Sequence, residues 1–380
     1  MIRNTVQLAL VFVVLTGFGM TVRAEGLDDT ERLGKAIFFD TNLSKPVGQS
    51  CASCHEPIAG FSDPDITLPV SQGAIPSRFG TRGAQSISYA MFSPPLYFDP
   101  TPRMGIMEGM YIGGLFWDGR VDTLEDQAKE PFLNPLEMHN PNKMTVVLAV
   151  RQAPYADLFA QIYGAESLHP RNTEYAYECV AAALAAYMRS AEVNPFTSKY
   201  DYWMTGEAEF TDAELRGYQL FTGKARCKNC HPEPIFTNFG HQNLGTPRNP
   251  NLPYYFLPLS LNPEGEDYID RGLGDFLRSI GVPQEEAAKE DGKFKIPSLR
   301  NCAVTLPYVH NGVHETLHDV VMFNNTRDEA WATWPAPEVP QNVHRHMPSM
   351  PGTFGRFGLS DQEVDDLVTF LLTLTDGYEP

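Results

Sequence analysis

The chain has 380 residues, with 47 acidic side chains against 29 basic ones and a formal net charge of −18 at pH 7. An acid excess of that size repels a phosphate backbone, so charge argues against a nucleic-acid partner; the same surface would attract a basic protein or simply keep the chain in solution. The length suits two domains better than one, and 31 prolines with 30 glycines predict short helices joined by long loops, a mainly α fold.

Residues 1–24 read as a signal peptide: a basic start at Arg3, an apolar run from Leu8 to Phe18, and small residues around a cleavage point near Ala24. The run falls well short of the roughly 20 residues that span a bilayer, and no later segment is long enough, so an exported protein without stable membrane insertion is expected. Removing Arg3 and Arg23 leaves the remainder more acidic still.

Asp28-Asp29-Thr30-Glu31 then forms a capping box ahead of Leu33, Gly34, Ile37 and Phe38. Cys51-Ala52-Ser53-Cys54-His55 follows. Cys179 sits in an apolar run and reads as a buried small residue, and the polar, proline-containing stretch 192–201 reads as a domain boundary, giving domains 25–195 and 196–380. Beyond it the order repeats. Thr211-Asp212-Ala213-Glu214 caps a helix carrying Leu215, Gly217, Leu220 and Phe221, and Cys227-Lys228-Asn229-Cys230-His231 comes next. Gly precedes Phe by four residues in both copies, on one helix face. The whole reads as a duplicated domain. Near the end, Ser360 and Glu363 cap a helix with the stripe Val364, Leu367, Val368, Leu371 and Leu374.

Cys-x-x-Cys-His is the attachment pattern of a c-type haem: two thiols add across the vinyl groups and the imidazole becomes the proximal iron ligand. Alone, the pentapeptide also fits half a zinc site or a dithiol redox pair. Two copies in an exported chain, each ending in histidine, argue for two haems, bound through Cys51, Cys54 and His55 and through Cys227, Cys230 and His231. What such haems do depends on the sixth iron position. Two strong ligands make an electron carrier, whereas an open position permits chemistry. No histidine lies in the stretch 56–137, whose methionines are Met91, Met104, Met107 and Met110.

These motifs, with Leu115-Phe116-Trp117-Asp118-Gly119-Arg120, Gln127, Pro131, Leu136-Glu137-Met138-His139, Pro297-Ser298-Leu299-Arg300-Asn301 and Thr305-Leu306-Pro307-Tyr308, resemble the dihaem bacterial cytochrome c peroxidase and MauG superfamily, in the same order over the chain after residue 24. The resemblance implies two cytochrome c-like domains in the periplasm, hydrogen peroxide as oxidant, a peroxidatic haem on His55 and a relay haem on His231. It implies Trp117 as a relay between them, Gln127, Pro131 and Glu137 in the distal pocket, and carbonyls of Thr305 and Pro307 on a calcium ion, although Gly83 stands where an asparagine is usual. A carboxylate desolvated beside a haem has the raised pKa that proton transfer to and from peroxide needs, which fits Glu137.

Members of the classical branch hold a distal histidine in the loop that corresponds to 70–74; this chain has none there, which predicts a permanently open first haem as in the MauG branch. The relay haem's far ligand is a methionine or a tyrosine in the family, where this chain has Asn324, leaving Met322, His314 or His318 as replacements, or a five-coordinate iron. Ala225 replaces the tryptophan that the MauG branch tends to carry before the second motif. The expected electron source is a donor cytochrome or a side chain of a partner protein, such as a methylamine dehydrogenase precursor; a quinol would be expected to come with an extra domain that nothing here resembles. The competing classes are a non-enzymatic dihaem electron-transfer cytochrome c and a thiol oxidoreductase.

Overall fold

The structure, a computed structural model, describes residues 26–101, 109–344 and 354–380. The expected leader 1–24, Met104 and Met107 lie outside the described residues.

The first half is built from α1 (Asp29–Phe38), α2 (Leu124–Leu133), α3 (Lys143–Gln152), α4 (Ala156–Tyr163) and α5 (Thr173–Arg189). α1 starts at the predicted capping box, Asp28 accepting from the Glu31 N–H and Glu31 reaching back. Its apolar face, Leu33, Ile37 and Phe38, joins a core that runs through Phe132, Val146 and Phe159 to Val193. Gly34 lets α1 lie directly on α5: a Cβ there would run into the Ala183 carbonyl oxygen.

The second half repeats this with α6 (Lys199–Thr205), α7 (Asp212–Thr222), α8 (Leu273–Ser279), α9 (Gln284–Ala287), α10 (Leu317–Thr326) and α11 (Asp361–Leu372). Thr211 with Glu214, and Ser360 with Glu363, form the expected capping boxes. α7 rests on α11 through Gly217, whose added Cβ would meet the Asp366 carbonyl oxygen, and a second core runs from Tyr200 to Leu374. No helix among the described residues is long and apolar enough to cross a membrane.

Short strands and ion pairs join the halves. β1 (Tyr97–Asp99) pairs antiparallel with β2 (Met110–Ile112), β3 (His241–Gln242) pairs antiparallel with β4 (Phe294–Lys295), and Ile112 bridges to Gly240. Val70 packs with Leu252, Tyr254, Tyr255 and Leu257 in a small core shared by both halves. Arg82 of the first half donates to Asp118 at 2.6 Å and to both oxygens of Asp270 in the second half at 2.6 and 2.8 Å. The fold therefore presents two helical cores whose shared seam runs past residue 117.

Candidate functional site

Each pentapeptide makes one tight turn at the wall of a cavity. In the first, His55 N–H donates to the Cys51 carbonyl at 2.9 Å, and Nδ1 of His55 stands 3.1 Å from the carbonyl of Phe61. In the second, His231 N–H donates to Cys227 at 2.9 Å, and Nδ1 stands 2.8 Å from the carbonyl of Phe236. Phe61 and Phe236 share an uncommon left-handed backbone, φ +58° and +56°, so the duplication extends to the residue that aims each carbonyl. An Nδ1–H that donates to a carbonyl fixes the tautomer and leaves Nε2 to ligate metal. Burial lowers the pKa of both imidazoles, that of His231 to about 4, so both are neutral, as ligation requires.

Burial pushes the thiols the other way, Cys51, Cys54 and Cys227 up to about 12 and Cys230 to about 11. A dithiol oxidoreductase needs a depressed thiol pKa, so the raised values count against that class. Nor do three or more His, Cys, Asp or Glu side chains gather as a metal site among the described residues, as a zinc reading would need.

The first cavity encloses about 360 Å³ and brings together Cys51, Cys54 and His55 with Gln127, Pro131 and Glu137. α2 supplies Gln127 and Pro131 one turn apart; Pro131 lacks the N–H that would have reached the Gln127 carbonyl within the helix. Glu137 is the only carboxylate in this wall among the described residues. Burial raises its pKa to about 7, against the opposing pull of the Arg120 guanidinium and of Asn134, whose Nδ2 donates to Oε1 at 2.9 Å.

His55 is also the only histidine in this wall among the described residues. The 70–74 loop contributes Ser71 and Gln72, and His139 is engaged by Arg78 at 3.2 Å outside the cavity. Met91 and Met110 do not line it; Met138 and Met188 do, as members of the first core. Thr305 and Pro307 lie in the same wall.

The second cavity, about 440 Å³, joins Cys227, Cys230 and His231 to a largely apolar wall that includes Leu317, Val320, Phe357, Leu367 and Leu371, with Ala225 beside the motif. Trp117 lines both cavities, its Nε1 donating to the Gly83 carbonyl at 2.8 Å. Asn324 also lines the second cavity. The three suggested replacements do not. Met322 packs against the second core, His314 is buried against Phe323 and Trp334, and the His318 side chain is half exposed near Asp365. Among the described residues, the histidine that lines this cavity beside His231 and His310 is His344, a lone loop residue with no motif around it to signal a role.

Both cavities fall within the roughly 300–1,000 Å³ of small-molecule sites and have the donors a haem needs, two thiols and a neutral imidazole. Lys295 adds a buried ammonium to both walls. Burial lowers its pKa to about 8, and its Nζ donates to the Gly114 carbonyl at 3.0 Å, leaving donor capacity for the carboxylates that a haem carries. The residues present therefore fit the group, and the arrangement defines a dihaem c-type protein.

Comparison with known proteins sharpens the class. A family model for di-haem cytochrome c peroxidase matches residues 28–209. Methylamine utilization protein MauG of Paracoccus denitrificans is 36% identical over 397 residues, covering 98% of this chain and 96% of that protein. Cytochrome-c peroxidase IdrP1 of Denitromonas iodatirespirans is 31% identical, covering 91% and 81%. The crystal structure of the diheme peroxidase BthA from Burkholderia thailandensis superposes with a TM-score of 0.78 at 33% identity, over 93% of this chain and 87% of that one. The chain belongs to the di-haem cytochrome c peroxidase and MauG family, and it is an oxidoreductase acting on peroxide with two c-type haems.

Proposed function

We propose that this protein is a periplasmic peroxidase whose first haem is permanently open and takes hydrogen peroxide, with Glu137 moving the proton. The observation that carries the reading is Glu137 itself, among the described residues the lone carboxylate in the wall that holds Cys51, Cys54 and His55, with its pKa raised to about 7. Cys51, Cys54 and His55 would hold the haem, whose iron would supply the site for peroxide and the redox chemistry. The chain supplies the rest. Asn134 holds Oε1 of Glu137, so Oε2 is the atom that takes a proton from peroxide and returns it to the departing oxygen. Gln127 and Pro131 shape the same wall, and Arg120 keeps the carboxyl from rising further. Trp117, common to both cavities, is the relay for electrons arriving from the His231 side. Domains 25–195 and 196–380 would each carry one haem, and residues 1–24 would direct export.

A saturated electron carrier would need a second strong ligand in the first cavity, where, among the described residues, His55 is the sole histidine and the two methionines, Met138 and Met188, are packed into the first core; the carrier reading is therefore the weaker. The open first site favours oxidation of a partner protein's side chain, as in methylamine dehydrogenase maturation, while Asn324 and Ala225 depart from that branch and favour a small donor cytochrome. The acidic chain suits a basic donor. A calcium ion on Thr305 and Pro307 is supported by the resemblance alone.

Rapid mixing of the oxidised holoprotein with hydrogen peroxide, without prior reduction, tests the reading. An immediate change in the high-spin part of the spectrum is expected. A spectrum that responds only after reduction would overturn the permanently open site.

A further inference from the structure

The second cavity poses a problem that Asn324 does not solve. Leu317, Val320, Val321 and Asn324 recur at helical spacing on the face of α10 that lines the cavity, and Asn324 is the one polar member. A carboxamide is not among the side chains that serve as strong axial haem ligands, which are histidine, methionine, cysteine and tyrosine.

His344 reaches the same wall. Its backbone is fixed at both ends, the N–H donating to the Asn243 carbonyl at 2.8 Å and the carbonyl accepting from Arg327 at 2.6 Å, and Val343 pairs with Asn243 as an isolated bridge. Its ring meets Phe354 edge-on at 6.0 Å. The neighbouring Gly355 N–H donates to the Asn324 carbonyl at 2.8 Å, so His344 and Asn324 belong to one wall. His231 enters the cavity lining from a separate segment, the Cys227 turn, with its Nδ1 at the Phe236 carbonyl. No hydrogen bond engages either ring nitrogen of His344 among the described residues. Met322, His314 and His318 lie off the cavity. His310, the other histidine in the wall, is stacked on Phe294 at 3.6 Å, with its Nε2 3.7 Å from Glu338.

We propose that His344 is the axial ligand opposite His231, making the second haem bis-histidine where Asn324 has replaced the family's methionine or tyrosine. The inference rests on haem binding by this family and not on the peroxidase reading. Imidazole in place of methionine lowers a haem's reduction potential, so the relay haem of this protein would sit lower than a histidine–methionine relay.

Low-temperature EPR of the resting, oxidised holoprotein tests it without peroxide. The wild type is expected to show one low-spin ferric signal. His344→Gly should lose that signal in favour of high-spin iron, and added imidazole should restore it. Asn324→Ala should keep it. His344→Met should stay low-spin with a raised midpoint potential, which covers the case in which the glycine variant does not mature. A low-spin signal that survives His344→Gly, a midpoint potential unmoved by His344→Met, or a wild type with only high-spin iron would overturn the assignment. Peroxide turnover can fail or succeed independently of all three results.

Discussion

Nδ2 of Asn134 donates to Oε1 of Glu137 at 2.9 Å, three residues along the chain, and this bond orients the one carboxylate that lines the first cavity among the described residues. Because burial raises the Glu137 pKa to about 7, kcat/KM for peroxide should climb with pH and level off above about 7, where the carboxylate is free to take a proton. Glu137→Gln should cost about 10²–10⁴ in kcat/KM, the usual range for a general acid–base group, with both haem spectra intact. Asn134→Ala removes a bond that favours the charged form, so the rising limb should move to higher pH. A limb that stays in place in steady-state assays of that variant would remove Glu137 from the proton-transfer role. The same shift acts on stability. A carboxyl raised in the folded state contributes stability that is fully present below its unfolded value, near 4.5, and is lost as pH rises through about 7.

Trp117→Phe should separate relay from attachment. It deletes the Nε1 donor to the Gly83 carbonyl and the indole shared by the two cavities, while leaving every thiol and proximal histidine in place. Turnover with an electron donor should fall at least about tenfold, equivalent to about 1.4 kcal/mol. Leaving the carbonyl unpaired should also cost about 1–3 kcal/mol in denaturant melts. Undiminished donor-dependent turnover would mean that electrons bypass this residue.

The Arg82 network predicts how the halves part. Burial alone would raise the carboxyl pKa values of Asp118 and Asp270, but Arg82 outweighs it, aided by Arg120 at Asp118, and both are held below the usual range. Depressed carboxyls contribute stability above their unfolded value, near 3.8, that is lost as pH falls through the lower folded one. Arg82→Met strands Asp270 and leaves Asp118 with Arg120 alone, and should destabilise the protein by about 3–5 kcal/mol, lessened in acid where the carboxylates protonate. Chemical denaturation at neutral and acid pH measures the difference, and an equal cost at both would show that the charges are not its source.

Gly34→Ala and Gly217→Ala should each destabilise by about 1–3 kcal/mol or more, because the added methyl meets a backbone oxygen, that of Ala183 in one case and of Asp366 in the other. The two losses should fall in different halves, which hydrogen exchange of α5 and α11 can localise. A substitution that leaves the exchange protection of its own helix pair unchanged would contradict the close packing.

The parts legible in the sequence are those whose chemistry is completed within a few residues. The haem motifs, three capping boxes and the paired glycines of α1 and α7 were readable because thiol spacing, cap bonds and helix faces are short-range. The resemblance supplied Gln127, Pro131, Glu137 and Trp117 as a set, and the fold brings the first three to one wall and gives the fourth to both cavities.

The tertiary structure alone decided the environment of those residues. The raised pKa of Glu137 comes from its burial, with Arg120 and Asn134 opposing it, and no stretch of sequence encodes burial. The far side of the second haem shows the same limit. The sequence directed attention to neighbours of Asn324 along the chain, Met322, His314 and His318, but α10 turns Met322 away, and the two histidines sit outside the cavity. His344 comes from a separate loop, carried to the wall by Asn243 and Arg327. Covalent attachment is a property of adjacent residues and is written locally. Ligation across a cavity depends on which distant side chains the packed chain leaves facing one another, and that exists only once the fold has formed.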